Sequence, residues 1–501
     1  MADVLPRSMP GVLNPVLAVD PDRPALVLPR STVTYGDLDV AATRAAERLA
    51  AHGVGRGWRV ALVDDASLVS AAALLGATRI GAACALMNPR LTVGELAELV
   101  AVAGVGPVAV AGAAYADALR RAGDLEVLDD DELLGGGPGE PGGPGGAGPR
   151  TPYDPSPEDE AVVLFTSGTT GTPKAVPFTH GLMGPRITAF SPTVDPVPAV
   201  ALMCVPLVHV GGMLGLMVQL GKGATSVVLT RFDAGRWLEL VERHRVTTCF
   251  LVPTMLHRIL EHPDFGRRDL SSLVSISYGA APAPLDLVRR ALAALPHVAL
   301  SNTFGQTETM GSITALLPGD YGTDKMASVG RPLPGVEVRV VDPVTADELA
   351  PGEVGELWVR TEASVIPDAQ RDDPDLPDGW LRTGDMVSVD DDGYLWPAGR
   401  LSDTINRGGE KFAPSEIEAV LRQHPAVADV AVGGVPDPEM GQRVGAAVVA
   451  RVPVDAGELR EFCRGRIANF KLPERVVLVD EIPYNDFGKV SRARLRALFS
   501  D

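Results

Sequence analysis

LFTSGTTGTPK, from Leu164 to Lys174, joins an apolar run to a loop made almost wholly of glycine and hydroxyl residues. Ala161 to Phe165 reads as a short buried strand, after which Thr166, Ser167, Gly168, Thr169, Thr170 and Gly171 lead to Pro173 and Lys174. Gly168 and Gly171 permit a tight turn that presents backbone N–H groups, the hydroxyls add donors, and Lys174 adds a charge. That combination suits phosphate oxygens. The spacing is not that of a P-loop NTPase, which needs four residues between its first glycine and a Gly-Lys-Ser/Thr end that opens a helix; here Pro173 precedes the lysine. Taken alone, the composition suits a solvated Ser/Thr/Gly linker equally well.

The 501 residues exceed one ordinary domain and leave room for about two to four lobes. Hydrophobic residues make up 46%, as in a water-soluble globular protein. A net charge of -19 repels nucleic acid and anionic membrane alike, so neither is an expected partner. Cys84, Cys204, Cys249 and Cys463 show no paired spacing, which points to buried reduced thiols rather than disulfides or a zinc site. The N-terminal stretch lacks a basic start followed by an apolar block, and a cytoplasmic location is expected. Residues 199–220 carry no formal charge, but Pro206, His209, Gly211 and Gly212 break the run into a buried strand, a turn and a helix.

Helical patterns such as Tyr35 to His52 alternate with apolar runs such as Arg59 to Val63, which predicts an α/β layer structure with mostly parallel sheets. Gly135 to Arg150 is too poor in apolar residues to fold and reads as a flexible loop. Thr225 to Leu229, Ala234 to His244, Thr247 to Val252 and Ala283 to Leu295 continue the alternation. Val336 to Val341 and Gly355 to Val359 lie close together without long helices, suggesting a β subdomain. Beyond Arg400 the pattern restarts, with a helix from Ser415 to His424, strands Val427 to Val432 and Gly445 to Val452, a helix from Glu458 to Ile467 and a strand near Val476. The expected organisation is a large multi-lobed N-terminal domain over 1–399, a hinge over 400–403 and a small mobile α+β lid over 404–501.

Five further clusters follow the phosphate loop: YGAAPAP (Tyr278 to Pro284), NTFGQTET (Asn302 to Thr309), GWLRTGD (Gly379 to Asp385), GRLSDTINRGGEKFAPSEIE (Gly399 to Glu418) and PYNDFGK, ending at Lys489. In this order and at these intervals they resemble the adenylate-forming superfamily of acyl-CoA synthetases, peptide-synthetase adenylation domains and luciferases, from about residue 30 to the end. The resemblance implies ATP, Mg2+ and CoA as co-substrates or cofactor, and a carboxylic acid activated as acyl-AMP before a thiol takes the acyl group. It assigns Thr166, Ser167, Gly168, Thr169, Thr170 and Lys174 to the β and γ phosphates, Thr307 to the α phosphate and Glu308 to magnesium. It places Phe304 on the adenine, with Gly279, Ala280, Ala281, Asn302 and Thr303 lining that pocket, and Asp385 and Arg400 on the ribose. Lys489 would stabilise adenylate formation, Gly408 and Gly409 would enter the site when the lid turns, and His209 would gate or wall the acyl site. Phe304 and His209 would also suit ordinary core packing.

The chain departs from that pattern in places. Ser402, followed by Asp403, stands at the hinge position where aspartate or lysine is common, Val208 where an aromatic is frequent, and Asp486 and Phe487 where small hydroxyl residues often precede Gly488. Three outcomes fit: a full acid–CoA ligase, a ligase that loads a carrier protein's phosphopantetheine, or an enzyme confined to the thioester half-reaction. Val210, Gly211, Gly212, Met213, Leu214 and Met217 favour an apolar acid over a dicarboxylate, and INRGGEK, Ile405 to Lys411, resembles the same segment of aryl-acid adenylating ligases, which implies an aromatic acid as well.

Overall fold

The computed structural model describes residues 9–135, 155–167, 173–190, 194, 197–371, 373, 376–408, 410–484 and 490–499. The glycine-rich stretch expected to be a flexible loop lies, beyond Gly135, outside them.

Two sheets flank a layer of helices. In the first the strands run in the order Glu126–Leu128, Val108–Ala111, Arg59–Val63, Ala83–Met87, Glu160–Ser167 and Pro173–Thr179. Every pair is parallel except the last, an antiparallel hairpin whose connection is the phosphate loop of the sequence. The second sheet has nine strands. Its parallel block runs from Ala299–Gln306 through Ser275–Gly279, Thr248–Leu251, Val200–Met203 and Thr225–Val228 to Pro24–Val27, and antiparallel strands close both edges. Parallel strands buried on both faces need continuous apolar runs, and Ala83–Met87 is buried at every position.

Helices Tyr35–Ala51 and Leu68–Arg79 each start with a reciprocal cap, Thr34 with Asp37 and Ser67 with Ser70, which satisfies N–H groups the first turn leaves open. Together with His180–Phe190 and Val210–Lys222 they contribute to one apolar core between the sheets, through Tyr35, Leu74, Met183, Ile187, Met213 and Met217. The expected strand, turn and helix within 199–220 are therefore present. Among the described residues no helix is long and apolar enough to cross a membrane. All four cysteines are free and buried.

The predicted β subdomain is a four-stranded antiparallel sheet, Glu337–Val341, Gly355–Arg360, Trp380–Val389 and Leu395–Arg400. After the 3-10 turn Leu401–Asp403 the C-terminal unit builds a separate sheet with its own apolar core around Ile405, Ile417, Val430, Val444 and Leu459. Its long hairpin, Val427–Asp437 with Gly441–Ala450, extends further toward the turn than the apolar runs Val427 to Val432 and Gly445 to Val452 imply. Ser415 donates to the Ala398 carbonyl at 2.8 Å and so ties the unit to the end of the β subdomain.

Asp64 follows the Arg59–Val63 strand, accepts a hydrogen bond from the Ser67 hydroxyl and is pushed up to about 7 by burial, with Asp130 adding to the shift. The folded chain therefore holds this proton more tightly than the unfolded chain, whose carboxyl titrates near its ordinary 3.8. Stability from this group is fully present below the unfolded value and is lost as pH rises toward 7. Asp64→Asn keeps the shape and removes the ionisation. It should be more stable than the parent by about 1–3 kcal/mol at pH 8 and match it near pH 4, as read by urea denaturation.

Candidate active site

The phosphate-loop hairpin sets Thr166 opposite Lys174 and Ser167 opposite Pro173. Lys174 thus opens the second strand of the hairpin rather than sitting in the loop, and it is exposed. Gly168, Thr169 and Thr170 lie outside the described residues. So do Gly409 and Lys489.

The proposed base-binding residues come from two neighbouring parallel strands of the nine-stranded sheet, at their C-terminal ends, where open α/β sheets place ligands. Tyr278 pairs with Asn302 and Gly279 with Thr303. A Cβ on Gly279 would stand 2.1 Å from the Thr303 carbonyl oxygen, so only glycine permits this approach. Ala280 then takes a left-handed φ of 66°, a strained setting for a residue with a Cβ. Phe304 is half-buried and packs on the apolar cluster of the β subdomain that includes Ile313, Leu357 and Leu395.

Thr307 and Glu308 sit in a 3-10 turn, Thr307–Thr309, at the tip of the hairpin formed by Ala299–Gln306 and Gly311–Leu316. The tip is rigidly made. Thr309 Oγ1 donates to the Gly311 carbonyl at 2.7 Å and accepts from the Gln306 N–H at 3.1 Å, and Met310 is left-handed at 47°. Register shifts between Phe304 and Gly305, where a Cβ would come within 1.9 Å of the Gly311 carbonyl oxygen. The bulge aims the Thr307–Glu308 turn away from the regular strand direction.

Asp385 and Arg400, far apart in the sequence clusters that carry them, are brought together by strand register: they are direct partners in the antiparallel pair Trp380–Val389 and Leu395–Arg400. Arg400 Nε lies 2.6 Å from an Asp385 carboxylate oxygen, and Asp385 is 7% exposed. Thr383 fixes the strand locally, accepting the Asp385 N–H at 3.0 Å and donating to the Leu357 carbonyl at 2.7 Å.

Residues 361–371 link this strand to the Glu308 turn. The Val365 N–H donates to the Glu308 carbonyl at 2.7 Å. Farther along the same segment, Gln370 uses its side-chain amide like a strand residue: it accepts from the Arg382 N–H at 2.9 Å and donates to the Arg382 carbonyl at 3.1 Å. Gln370 does not stand out in the sequence, because a Pro- and Asp-rich segment carries no periodic signal, and Thr383 gains its role only from the strand pairing. Gln370→Ala removes two hydrogen bonds worth about 0.5–1.5 kcal/mol each. If the strap spaces Glu308 from Asp385, KM for ATP should rise about tenfold with little change in melting temperature; a lower melting temperature with unchanged KM would make the clamp structural only.

His209 takes the N-cap position of the helix Val210–Lys222, whose Val210 and Leu214 lie 3.9 and 3.8 Å from where a Gly311 Cβ would be. Phe250 stands 3.8 Å from the equivalent point on Gly211. The first turn of this helix thus lies beside Phe250 on the strand Thr248–Leu251 and beside Gly311, which follows the Thr307–Thr309 turn. His180, to which the sequence assigns no role, is 2% exposed and lowered to about 4 by burial, so it is neutral. In the C-terminal unit Gly408 is left-handed at 61° and its N–H donates to the Met440 carbonyl at 2.8 Å.

Among the described residues no group of three or more His, Cys, Asp or Glu side chains is placed to cage a metal. A lone half-buried carboxylate at Glu308 fits magnesium, which takes one or two protein carboxylates and fills its shell with phosphate oxygens and water.

Residues 15–366 match the AMP-binding enzyme family and residues 416–489 the AMP-binding enzyme C-terminal domain. The fatty acid–[acyl-carrier-protein] ligase ScoC of Streptomyces coeruleorubidus is 32% identical over 96% of this chain and 94% of its own. The long-chain-fatty-acid–CoA ligase FadD13 of Mycobacterium tuberculosis is 32% identical over 99% of both chains. The solved O-succinylbenzoate coenzyme A synthetase (MenE) of Bacillus subtilis, in complex with ATP and magnesium ion, superposes with a TM-score of 0.83 at 29% identity, covering 97% of this chain and 99% of that one. With matches along both of its units and relatives aligned over nearly its whole length, the chain belongs to the AMP-binding enzyme family, whose members form acyl adenylates from carboxylic acids.

Proposed function

We propose that this enzyme activates a carboxylic acid with ATP and Mg2+ and passes the acyl group to the thiol of CoA, with Thr307, Glu308, His209, Asp385, Arg400 and Lys489 as its working residues. What supports the reading is the strap that bonds the Glu308 backbone carbonyl through Val365 and the Arg382 backbone through Gln370, so that the turn carrying Glu308 and the strand carrying Asp385 are tied by one segment.

A free carboxylate is resonance-stabilised and has no usable leaving group. Attack of its oxygen on the α-phosphorus forms the O–P bond of the acyl-AMP and releases pyrophosphate. The thiol sulfur then attacks the acyl carbon, AMP leaves, and the thiol proton passes to solvent or a buffering base. Two anions must meet in the first step, so orientation and charge stabilisation do most of the work. Asp385, with two acceptor oxygens, suits both ribose hydroxyls, and Arg400 holds it in place. Thr166, Ser167 and Lys174 at the hairpin, with Gly168, Thr169 and Thr170, would receive the outer phosphates, and Thr307 the α phosphate. Glu308 would hold magnesium, which when bound offsets phosphate charge. Gly279, Ala280, Ala281, Asn302, Thr303 and Phe304 would border the base. Lys489 would bridge carboxylate and α phosphate, and Gly408 with Gly409 would approach the site once the 404–501 unit turns about 400–403.

The test incubates purified protein with ATP, Mg2+ and an acid panel, with and without CoA, and reads products by mass spectrometry. Acyl-CoA that forms only with both ATP and CoA is the expected result. Acyl-AMP that persists in the presence of CoA would instead assign a carrier-protein acceptor, and thioester made only from supplied acyl-AMP would confine the enzyme to the second half-reaction.

A further inference from the structure

We propose that the acid this enzyme activates carries a second oxygen acceptor, a carbonyl or carboxylate distant from the reacting carboxyl, and that Arg186 receives it. The inference deepens the ligase reading and rests on it.

Arg186 lies on the helix His180–Phe190, between the two sheets. It crosses to the second sheet, where one of its terminal N–H groups donates to the carbonyl of Ser312. Ser312 pairs with Gly305, at the bulge below the Thr307–Glu308 turn, and follows Gly311, whose open side faces Val210 and Leu214. The guanidinium therefore stands one strand residue beyond the apolar wall built by the helix after His209. An acyl group that started at Thr307 and ran along Val210 and Leu214 would end beside it.

A guanidinium has five N–H donors and no acceptor. Among the described residues, Arg186 meets the Ser312 carbonyl and the ring of Phe190, 5.1 Å from its carbon centre, and no carboxylate; its Nε is buried with no partner. Burial lowers its affinity for its proton, and no facing acid offsets this. Leaving a donor of a charged group buried and unmatched is costly. Arg186 as a whole is half-buried, so water can serve the exposed part of its guanidinium, but tying a helix to a strand carbonyl needs only one neutral donor and the buried, unused Nε exceeds that structural task. A ligand oxygen arriving from the apolar wall would satisfy it. The substrate so described is amphipathic: an apolar body against Val210, Gly211, Leu214 and Phe250, with an acceptor at its end. This qualifies the expectation, drawn from Val210 to Met217, of an apolar acid rather than a dicarboxylate.

Matched acids test it: hexanoate, 5-oxohexanoate and adipate, and 3-phenylpropanoate with 3-(4-carboxyphenyl)propanoate. ATP–pyrophosphate exchange reports kcat/KM for each, and calorimetry with AMP present reports binding without turnover. The parent enzyme should prefer an oxygenated member over its plain counterpart at least tenfold, with the keto and carboxylate arms showing which acceptor is used. Arg186→Met should erase that preference while leaving the plain acids within threefold, and Arg186→Lys should restore part of it. Plain acids preferred in every pair, or an equal loss for all acids in Arg186→Met with Arg186→Lys normal, would overturn the proposal and leave Arg186 a strut. Binding that depends on Arg186 without any exchange would sustain the acceptor site and refute the ligase reading.

Discussion

Lys489→Ala is expected to lose acyl-AMP formation by about 10^2–10^3-fold, the cost of removing one charged donor from a developing oxyanion, while thioester formation from supplied acyl-AMP and CoA continues. The separation follows from where the lysine is carried. Lys489 itself lies outside the described residues, but both flanks are anchored in the C-terminal unit. Tyr484 and Val490 form an antiparallel bridge, and the Tyr484 hydroxyl donates to Asp429 at 2.7 Å. Three residues past Lys489, Arg492 donates to the Val432 carbonyl at 2.9 Å and to Asp403 at 3.0 Å. Whatever turns about Ser402 therefore carries Lys489 with Asp403. A lysine so mounted can serve adenylate formation and be withdrawn before the thiol attacks. Rates of the two half-reactions, measured separately by pyrophosphate exchange and by thioester release from synthetic acyl-AMP, decide the matter. Equal loss of both would remove Lys489 from a role specific to the first step.

Much of this organisation is readable from the chain without its structure, and the reasons differ from place to place. Arg59–Val63, Thr225–Val228 and Tyr35–Ala51 have strong local periodicity, and their bounds agree with the apolar patterns to within a residue. The helix His180–Phe190 is silent, because Gly181, Gly184 and Pro185 are all poor helix residues; tertiary packing of Met183 and Ile187 overrides them. Arg186 is hidden with it. The C-terminal hairpin runs past its apolar portion through Gln442 and Arg443, an arm held by the pairing of Arg443 with Asp437 and Glu474 rather than by burial, so no alternation marks it. The candidate site residues are legible as a set of motifs. Their mutual geometry is not, since the meeting of Asp385 with Arg400 depends on strand register and that of Gln370 with Arg382 on a loop fold, neither of which has a local signature.

Asp385→Asn should injure both half-reactions, and this distinguishes it from Lys489→Ala. The substitution preserves shape but removes the charge and one acceptor oxygen. A ribose that needs two acceptors loses one, and Arg400 loses its ion pair in a strand where the carboxylate is almost fully buried. Hydrogen bonds to charged groups are worth about 1.5–3 kcal/mol; the expected weakening of ATP, AMP and acyl-AMP binding is thus tenfold or more. The acyl-AMP carries the same ribose as ATP, so the second step cannot escape. Calorimetric titration with AMP gives the binding loss directly. Arg400→Gln supplies the comparison: it leaves the Asp385 oxygens in place and should weaken AMP binding less, because Arg400 is half-exposed and water can replace part of its contact. AMP affinity unchanged in Asp385→Asn would take this carboxylate off the ribose and leave the pair a strut between two strands of the β subdomain.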